Sequence, residues 1–199
     1  MLTKKQLAIR LSSFKKIVHP DEQLEQYSLD PEVASQILWT AYMKGDIQSK
    51  KVADFGCGSG TLGGGALLLL SKKVYFVEKD ASSMLICKEN IKNTKAHFIT
   101  SDLKTFNQHV DTVLQNPPFG LKRIHADREF LAKAFASANV VYSIHKIESQ
   151  GFIEQFSKDN GFRVEEVIPF DFILRRTLKH HRKEKYTVKC GCWILRKAV

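Results

Sequence analysis

Apolar segments after residue 50 alternate between short strand-like runs and longer helix-like runs. The strand-like runs are rich in β-branched and aromatic residues and cover 51–55, 74–78, 96–100, 111–115 and 139–144. The helix-like runs cover 62–70, 81–92, 127–138 and 149–160. Strands that alternate with crossover helices form a parallel sheet with helices on both faces. The sequence therefore predicts an α/β fold.

Two further strand-like runs, 162–170 and 186–195, follow with no helix between them. Strands that are joined without a crossover helix pair as an antiparallel hairpin. The prediction is a seven-stranded sheet, mostly parallel, in which one late strand is antiparallel to the rest.

Residues before 50 are predicted to form two helices. One covers about 3–16, and the other begins at Asp30-Pro31, because Asp suits the N-cap and Pro suits the first helical position. No linker rich in glycine, proline or serine divides the 199 residues. We expect one domain over 1–199, in which 1–49 forms an N-terminal helical cap that contributes to the ligand site.

Cysteine content and hydropathy argue against several classes of protein. Four cysteines (Cys57, Cys87, Cys190 and Cys192) are too few for a disulfide framework in a chain of this length, and no second Cys-x-Cys pair completes a zinc site. The longest apolar run, 66–70, is too short to cross a bilayer, and the N-terminus lacks the apolar core of a secretory signal. We expect no metal site and a soluble, cytoplasmic protein.

The charge is strongly positive. Lys and Arg number 31 against 21 Asp and Glu, which gives a net charge of +10. Such an excess favours a polyanionic partner, most simply nucleic acid. The basic residues expected to contact phosphates lie past residue 120 and between the last two strands: Lys122, Arg123, Arg128, Arg175, Arg176, Lys179, His180, His181, Arg182, Lys183 and Lys185.

The first predicted strand runs into a glycine-rich loop at 56–60, which can approach a ligand beside a helix N-terminus. Glu78 ends the second strand, where it can accept hydrogen bonds from ribose hydroxyls. Residues 58–63 also satisfy G-x-G-x-x-G, so a dinucleotide remains an alternative ligand. Asp54 would face a pyrophosphate unfavourably but would pair with an ammonium group. This favours S-adenosylmethionine, which has a ribose, an adenine and an amino-acid end, and it places Asp102 near the adenine amino group.

Asn116-Pro117-Pro118-Phe119 follows the fourth strand. The two prolines fix the local backbone. If the Asn116 side-chain oxygen and the Pro117 carbonyl accept the N–H bonds of an adenine amine, the nitrogen lone pair turns toward an incoming methyl group. Phe119 offers a face on which a flipped base stacks. The motif thus predicts methylation of an exocyclic amine.

These features together resemble the class I S-adenosylmethionine-dependent amino methyltransferases. The resemblance rests on DFGCGSG (54–60), Glu78, SDL (101–103) and NPPFG (116–120). LEQYSLDPEVAS (24–35), NPPFG and HHRKEKYTVK (180–189) resemble, more narrowly, the archaeal branch of the methyltransferase-like 5 family over essentially the whole chain. Ser28 stands where the related motif often has threonine, which keeps a hydroxyl.

The resemblance implies a Rossmann-like methyltransferase sheet and formation of N6-methyladenosine in small-subunit ribosomal RNA. It also implies a partner, a small zinc-binding methyltransferase activator protein that adds a strand or covers an apolar surface. It gives catalytic roles to Asn116, Pro117, Pro118 and Phe119. The cofactor site that it implies comprises Gln26, Tyr27, Ser28, Asp54, Gly56, Cys57, Gly58, Gly60, Leu62, Glu78, Lys79, Ser101, Asp102, Leu103 and Asn116.

Three other functions remain open at this point. Methylation of a glutamine N5 in a translation factor uses a similar turn but prefers Tyr at the position of Phe119. A DNA adenine-N6 methyltransferase usually carries a separate target-recognition domain, which we do not expect in this sequence. An RNA-binding protein without activity would not need the amine acceptors at 116–117.

Overall fold

The computed structural model describes residues 2–17, 28–118, 126–175 and 185–198, with only the main chain at 126, 173–175, 185 and 186. The helices in these ranges are α1 (Lys4–Ser12), α2 (Pro31–Met43), α3 (Thr61–Leu68), α4 (Ala81–Asn90), α5 (Ala126–Ser137) and α6 (Gln150–Asp159). The strands are β1 (Lys51–Phe55), β2 (Lys73–Glu78), β3 (Ala96–Thr100), β4 (Val110–Gln115), β5 (Ala138–Lys146), β6 (Phe162–Arg175) and β7 (Lys185–Lys197). Short 3-10 turns cover Leu103–Thr105 and Ile147–Ser149.

The seven strands form one sheet in the order β3-β2-β1-β4-β5-β7-β6. The pairs from β3 through β5 are parallel, and β7 is antiparallel to both β5 and β6. The predicted seven-stranded, mostly parallel α/β fold with one antiparallel late strand is confirmed. After β1 the chain continues into α3 on one face of the sheet, and after β4 it continues into α5 on the other face. The carboxyl ends of this pair therefore border the crevice in which sheets of this type bind ligands.

Each face of the sheet packs against its own hydrophobic layer. On one face, α1 to α4 pack against side chains that include Phe76, Leu114 and Ile194. On the other face, α5 and α6 pack against Phe55, Val113 and Trp193. This division follows from the strand pleat, because successive side chains of a strand point to opposite faces.

Helix α3 contains three consecutive glycines, which let it pack closely against its neighbours. A Cβ at Gly63 would lie 2.5 Å from Phe76 Cε1, and one at Gly64 would lie 2.6 Å from Phe14 Cε2. Glycine lowers helix propensity but leaves room for these rings. The close packing holds the start of α3, and the glycine loop before it, against the end of β1.

The N-terminal helices agree only partly with the prediction. Asp30 caps α2 as predicted, since its carboxylate accepts the Glu32 N–H at 2.8 Å. Helix α1, predicted to reach residue 16, ends at Ser12. The Ser12 and Ser13 hydroxyls donate to main-chain oxygens one turn back, which competes with further helix. The Lys15 N–H then donates to Asn90 Oδ1 at 2.8 Å, which draws the chain toward α4.

The late hairpin is longer than predicted. Strand β6 reaches Arg175 and β7 begins at Lys185, and these two residues are register partners. The prediction placed both in a loop because the apolar pattern stops earlier. The ladder continues because main-chain hydrogen bonds between strands do not require apolar side chains. In the described parts of the chain, no helix is long and apolar enough to span a membrane.

Candidate active site

A cavity of about 400 Å³ opens at the carboxyl ends of β1, β2 and β4. Its floor is the glycine loop between β1 and α3. Gly56, Gly58 and Gly60 have φ angles of 65°, 52° and 87°, which side-chain-bearing residues rarely adopt. The Gly56 and Cys57 N–H groups donate to the Val77 carbonyl, so the loop is fixed to β2. The loop is therefore a rigid, close-approach surface rather than a mobile turn.

Asp54 lies beneath the loop and is only 2% exposed. Its carboxylate accepts the Gly63 N–H from the first turn of α3 at 2.7 Å. Burial raises the pKa of this carboxyl to about 7, although the bond from Gly63 opposes the shift. Asp54 is thus poised between its two protonation states at neutral pH, and a nearby cation would favour the charged one.

Glu78 stands on the other side of the loop, at the end of β2. One of its carboxylate oxygens accepts the Gly58 N–H at 3.0 Å and the other accepts the Asp80 N–H at 3.0 Å. Each oxygen keeps a further lone pair. The two main-chain bonds orient the carboxylate toward the cavity, where those lone pairs can accept from hydroxyl groups.

The turn after β3 forms a third wall. The Asp102 carboxylate accepts the Lys104 N–H at 2.8 Å, and the Ser101 and Thr105 hydroxyls lie 2.7 Å apart. These bonds close the turn. Asp102 is exposed to solvent at the edge of the cavity and keeps acceptor sites for an N–H group.

Asn116 borders the cavity directly after β4. Its Oδ1 is buried and has no hydrogen-bond partner among the described residues. An unpaired buried acceptor costs about 1–3 kcal/mol. Pro117 is buried and Pro118 lines the cavity. The two prolines fix the backbone beside this unpaired acceptor. The Asn116 oxygen is therefore suited to accept a hydrogen bond from an N–H group of a bound ligand.

The family assignment rests on a match between residues 27–144 and the model for the methyltransferase small domain. That segment holds the glycine loop, Glu78, Asp102 and Asn116. The chain belongs to the methyltransferase small domain family.

Relatives of this methyltransferase span nearly its whole length. It is 31% identical to an uncharacterized protein of Methanocaldococcus jannaschii, over 92% of this chain and 90% of that one. It is 30% identical to the rRNA N(6)-adenosine-methyltransferase METTL5 of Danio rerio, over 85% of this chain and 87% of the relative. The Drosophila melanogaster protein of the same name is 28% identical over 87% of each chain.

Solved structures agree with the fold. A Pyrococcus horikoshii protein, provisionally assigned as an RNA methyltransferase, is 42% identical over the whole of both chains, with a TM-score of 0.94. A Thermoplasma acidophilum protein is 25% identical over 99% of this chain and 98% of that one, with a TM-score of 0.80. The magnesium protoporphyrin IX methyltransferase of Synechocystis, solved with bound SAM, shares the fold at a TM-score of 0.62 and 14% identity, over 83% of this chain and 79% of that one.

The structure of the methyltransferase brings most of the expected cofactor residues to the cavity. Those that line it are Ser28, Asp54, Gly56, Cys57, Gly58, Leu62, Glu78, Lys79, Ser101, Asp102, Leu103 and Asn116. Gly60 and Pro117 do not line it; Gly60 instead caps α3. Gln26, Tyr27 and Phe119 lie outside the described residues.

Other residues line the cavity that the sequence analysis did not identify. They are Ile17, Leu29, Ser59, Thr61, Val77, Lys104, Glu129, Phe130 and Ala132. Ser59 and Thr61 could have been found from their places in the glycine loop. Ile17, in the segment after α1, and the α5 residues carry no local signal, because only tertiary packing brings them to the cavity. A Cβ at Gly56 would lie 3.0 Å from Phe130 Cε1, which shows how closely α5 approaches the loop.

The expected phosphate-contacting residues fall largely outside the described ranges. These are Lys122, Arg123, Arg176, Lys179, His180, His181, Arg182 and Lys183. Arg175 and Lys185 lie in the hairpin strands, where only their main chain is described. Arg128, expected at the mouth of the pocket, does not line the cavity; its guanidinium lies 5.4 Å from the centre of the Phe156 ring on α6.

Proposed function

We propose that this methyltransferase transfers a methyl group from S-adenosylmethionine to the N6 amine of an adenosine in small-subunit ribosomal RNA. The observation that carries the proposal is the buried Asn116 Oδ1, an acceptor at the cavity wall with no partner among the described residues. A site that only bound a cofactor would not need an unpaired acceptor beyond the sheet edge.

The cofactor is S-adenosylmethionine, and the described residues suit its three parts. In this proposal Glu78 accepts from the ribose hydroxyls, Asp102 accepts from the adenine amine, and Asp54 pairs with the ammonium group of the amino-acid end. The support is that all three side chains line the cavity. When bound, the cofactor supplies a methyl group on a positively charged sulfur. We further propose that the whole chain is one methyltransferase domain, in which 1–49 is the cap, since Ile17, Ser28 and Leu29 line the same cavity.

Asn116 prepares the nucleophile. The lone pair of an adenine amine is delocalised into the ring, so the nitrogen is a weak nucleophile. Hydrogen bonds from this amine to Asn116 Oδ1 and to the Pro117 carbonyl hold the nitrogen with its lone pair directed at the methyl group. Acceptors preset in this way need no reorganisation during the reaction. After methyl transfer, loss of a proton from the methylated amine needs no strong base, because a protonated aryl amine is acidic.

RNA is favoured over protein as the substrate. The net charge of +10 suits a polyanion. The relatives named as rRNA adenosine methyltransferases align over 85% and 87% of this chain. In contrast, ribosomal protein L11 methyltransferases align over a smaller share of it, 36% in an Acinetobacter baumannii protein that is 39% identical and 53% in a Psychrobacter arcticus protein that is 32% identical. The zinc-binding activator remains part of the proposal. Its support is that β3 is the edge strand of the described sheet, where a further strand can pair, and that Leu85 on the adjacent α4 is 63% exposed.

The test is methyl transfer from labelled S-adenosylmethionine to ribosomal RNA, with a peptide release factor as the competing substrate. We expect label in RNA, as N6-methyladenosine after nuclease digestion. Asn116→Ala should lower the rate on the order of 100-fold while cofactor binding persists. The matched control is Asn107→Ala, at an exposed asparagine in the loop before β4. Label in the release factor, or undiminished RNA labelling by Asn116→Ala, would refute the proposal.

A further inference from the structure

A row of lysines crosses three neighbouring strands at the end of the sheet opposite the cavity. Lys51 begins β1 and is the register partner of Lys73, the first residue of β2. Lys95 extends the row, because it precedes Ala96, the partner of Val74, and its carbonyl accepts the Val74 N–H. Neighbouring strands lie about 4.8 Å apart, so the row spans roughly 10 Å.

The three lysines share one face of the sheet, since register partners of parallel strands point the same way. None of the three takes part in the ion pairs seen among the described residues. Asp111 lies beside the row, and its carboxylate accepts the Lys51 main-chain N–H at 2.7 Å. Like charges on neighbouring strands destabilise a sheet. The row therefore has an electrostatic cost that a bound anion would relieve.

Protection of a sheet edge does not account for the row. Lysines on edge strands prevent association of sheets. Lys95 precedes the edge strand β3, but Lys51 begins β1, which is the third strand from that edge. Edge protection would place no lysine there.

An aromatic pair lies two residues further along the same face. The Tyr75 and His97 rings have centroids 5.5 Å apart, and these residues are register partners on β2 and β3. Tyr75 is half-buried and packs edge-on against the buried Phe106 ring at 5.6 Å. The Lys73 ammonium lies 5.5 Å from the Tyr75 ring centre. Tyr75 thus anchors both Lys73 and the exposed ring of His97.

We infer that this surface, Lys51, Lys73 and Lys95 with His97, binds a single-stranded segment of RNA remote from the methylated base. The lysines contact successive phosphates and one unstacked base stacks on His97. Ammonium groups beside an exposed ring are the combination with which proteins hold single strands without reading their sequence. The surface lies roughly 10 Å or more along the strands from the cavity, at about 3.3 Å per residue. The inference rests on the proposed function, since it takes RNA as the substrate.

The test compares two triple variants of the full chain in binding a short fluorescein-labelled oligouridine. Lys51→Ala/Lys73→Ala/Lys95→Ala should weaken binding at least tenfold, and the slope of log affinity against log salt should fall by about 2, at about 0.7 per phosphate contact. His97→Ala should weaken binding about tenfold with an unchanged slope. The matched control, Lys4→Ala/Lys5→Ala/Lys158→Ala, removes the same charge from exposed positions on α1 and α6. It should leave affinity and slope nearly unchanged.

Cofactor binding should be the same in all variants, and the midpoint of thermal unfolding should not fall in any of them, which separates loss of RNA binding from loss of fold. The midpoint of the Lys51→Ala/Lys73→Ala/Lys95→Ala variant should rise slightly, because the repulsion within the row is removed. If the wild-type chain methylates ribosomal RNA and the two triple variants bind oligouridine equally, this inference alone is wrong. If the wild-type chain neither binds nor methylates RNA, the proposed function fails and this inference fails with it. If polyglutamate binds to this surface and the lysine substitutions leave RNA binding unchanged, the surface binds an acidic protein instead of RNA.

Discussion

The Asp54 carboxylate accepts the Gly63 main-chain N–H at 2.7 Å, so one buried acid joins the end of β1 to the first turn of α3. The bond holds the glycine loop in place from below. It also leaves Asp54 in an environment where burial raises its pKa to about 7, which links the protonation state of this acid to whatever binds above the loop.

Cofactor affinity should increase with pH because of Asp54. An ammonium group favours the ionised carboxylate, so binding to the protonated form must release a proton. Below pH 7 we expect affinity to rise by up to about tenfold per pH unit and to level off above it. Calorimetry in two buffers of different ionisation enthalpy measures the released proton. Asp54→Asn should bind more weakly and show no such dependence, and a pH dependence retained in this variant would rule out the pairing.

Asp54 should also make the free protein less stable as pH rises. Its pKa is about 7 in the folded chain against 3.8 for the unperturbed group, so the unfolded chain loses the proton first. Stability that is present below about pH 4 is therefore lost as pH rises toward 7. Urea unfolding at pH 4.5 and pH 7 should show a smaller loss in Asp54→Asn than in the wild type.

His145 should act with the opposite sign. Burial lowers its pKa to about 3, and its ring nitrogen Nε2 bonds to the Ser143 hydroxyl, which in turn accepts from Gln115 at 2.9 Å. Between pH 6.5 and about 3 the unfolded chain binds a proton that the folded chain does not, so stability falls with falling pH. His145→Gln should reduce this acid sensitivity, measured by unfolding at pH 4 and pH 7. An unchanged slope would mean that the imidazole titrates normally in the folded protein.

Gly63→Ala should destabilise the protein by about 1–3 kcal/mol. The new Cβ would lie 2.5 Å from Phe76 Cε1 and 3.0 Å from Asp54 Cβ, so either the ring or the helix must move. Gly151→Ala is the matched control, because its Cβ meets nothing within 4 Å and it lies in α6. There the gain in helix propensity should stabilise the protein by about 0.5–1 kcal/mol. Denaturant unfolding gives both values, and equal effects would contradict the packing argument.

Arg196→Met should cost about 1.5–3 kcal/mol. Its guanidinium binds Asp46 at 3.0 and 3.2 Å and also bonds to Glu165, and Asp46 is only 6% exposed. Without Arg196 the buried Asp46 keeps only the Tyr142 hydroxyl, at 2.7 Å, as a side-chain partner among the described residues. Lys189→Ala, which breaks the exposed pair with Asp171, should cost no more than about 1 kcal/mol. Similar losses in both variants would show that burial of Asp46 does not matter.

The sequence predicted the fold because its signals are local. Strand and helix periods, the Asp30-Pro31 helix start and the missing crossover helix before residue 186 each depend on a few adjacent residues. Element ends were less accurate at Ser12, Arg175 and Lys185, because serine back-bonding and main-chain pairing do not follow the apolar pattern.

The sequence by itself also showed that Asp54, Glu78, Asp102 and Asn116 lie at or just after strand ends. The carboxyl ends of parallel strands meet at one edge of a sheet, so these side chains were expected to lie near one another. Only the tertiary structure decided that Ile17 and Phe130 close the cavity, that Gly60 and Pro117 stay out of it, and that the Asn116 oxygen is buried without a described partner. It alone aligned Lys51, Lys73 and Lys95, which are 22 residues apart in turn along the chain. The physical reason is that tertiary packing and strand register bring together residues that are far apart in the sequence. No local sequence pattern specifies that packing or that register.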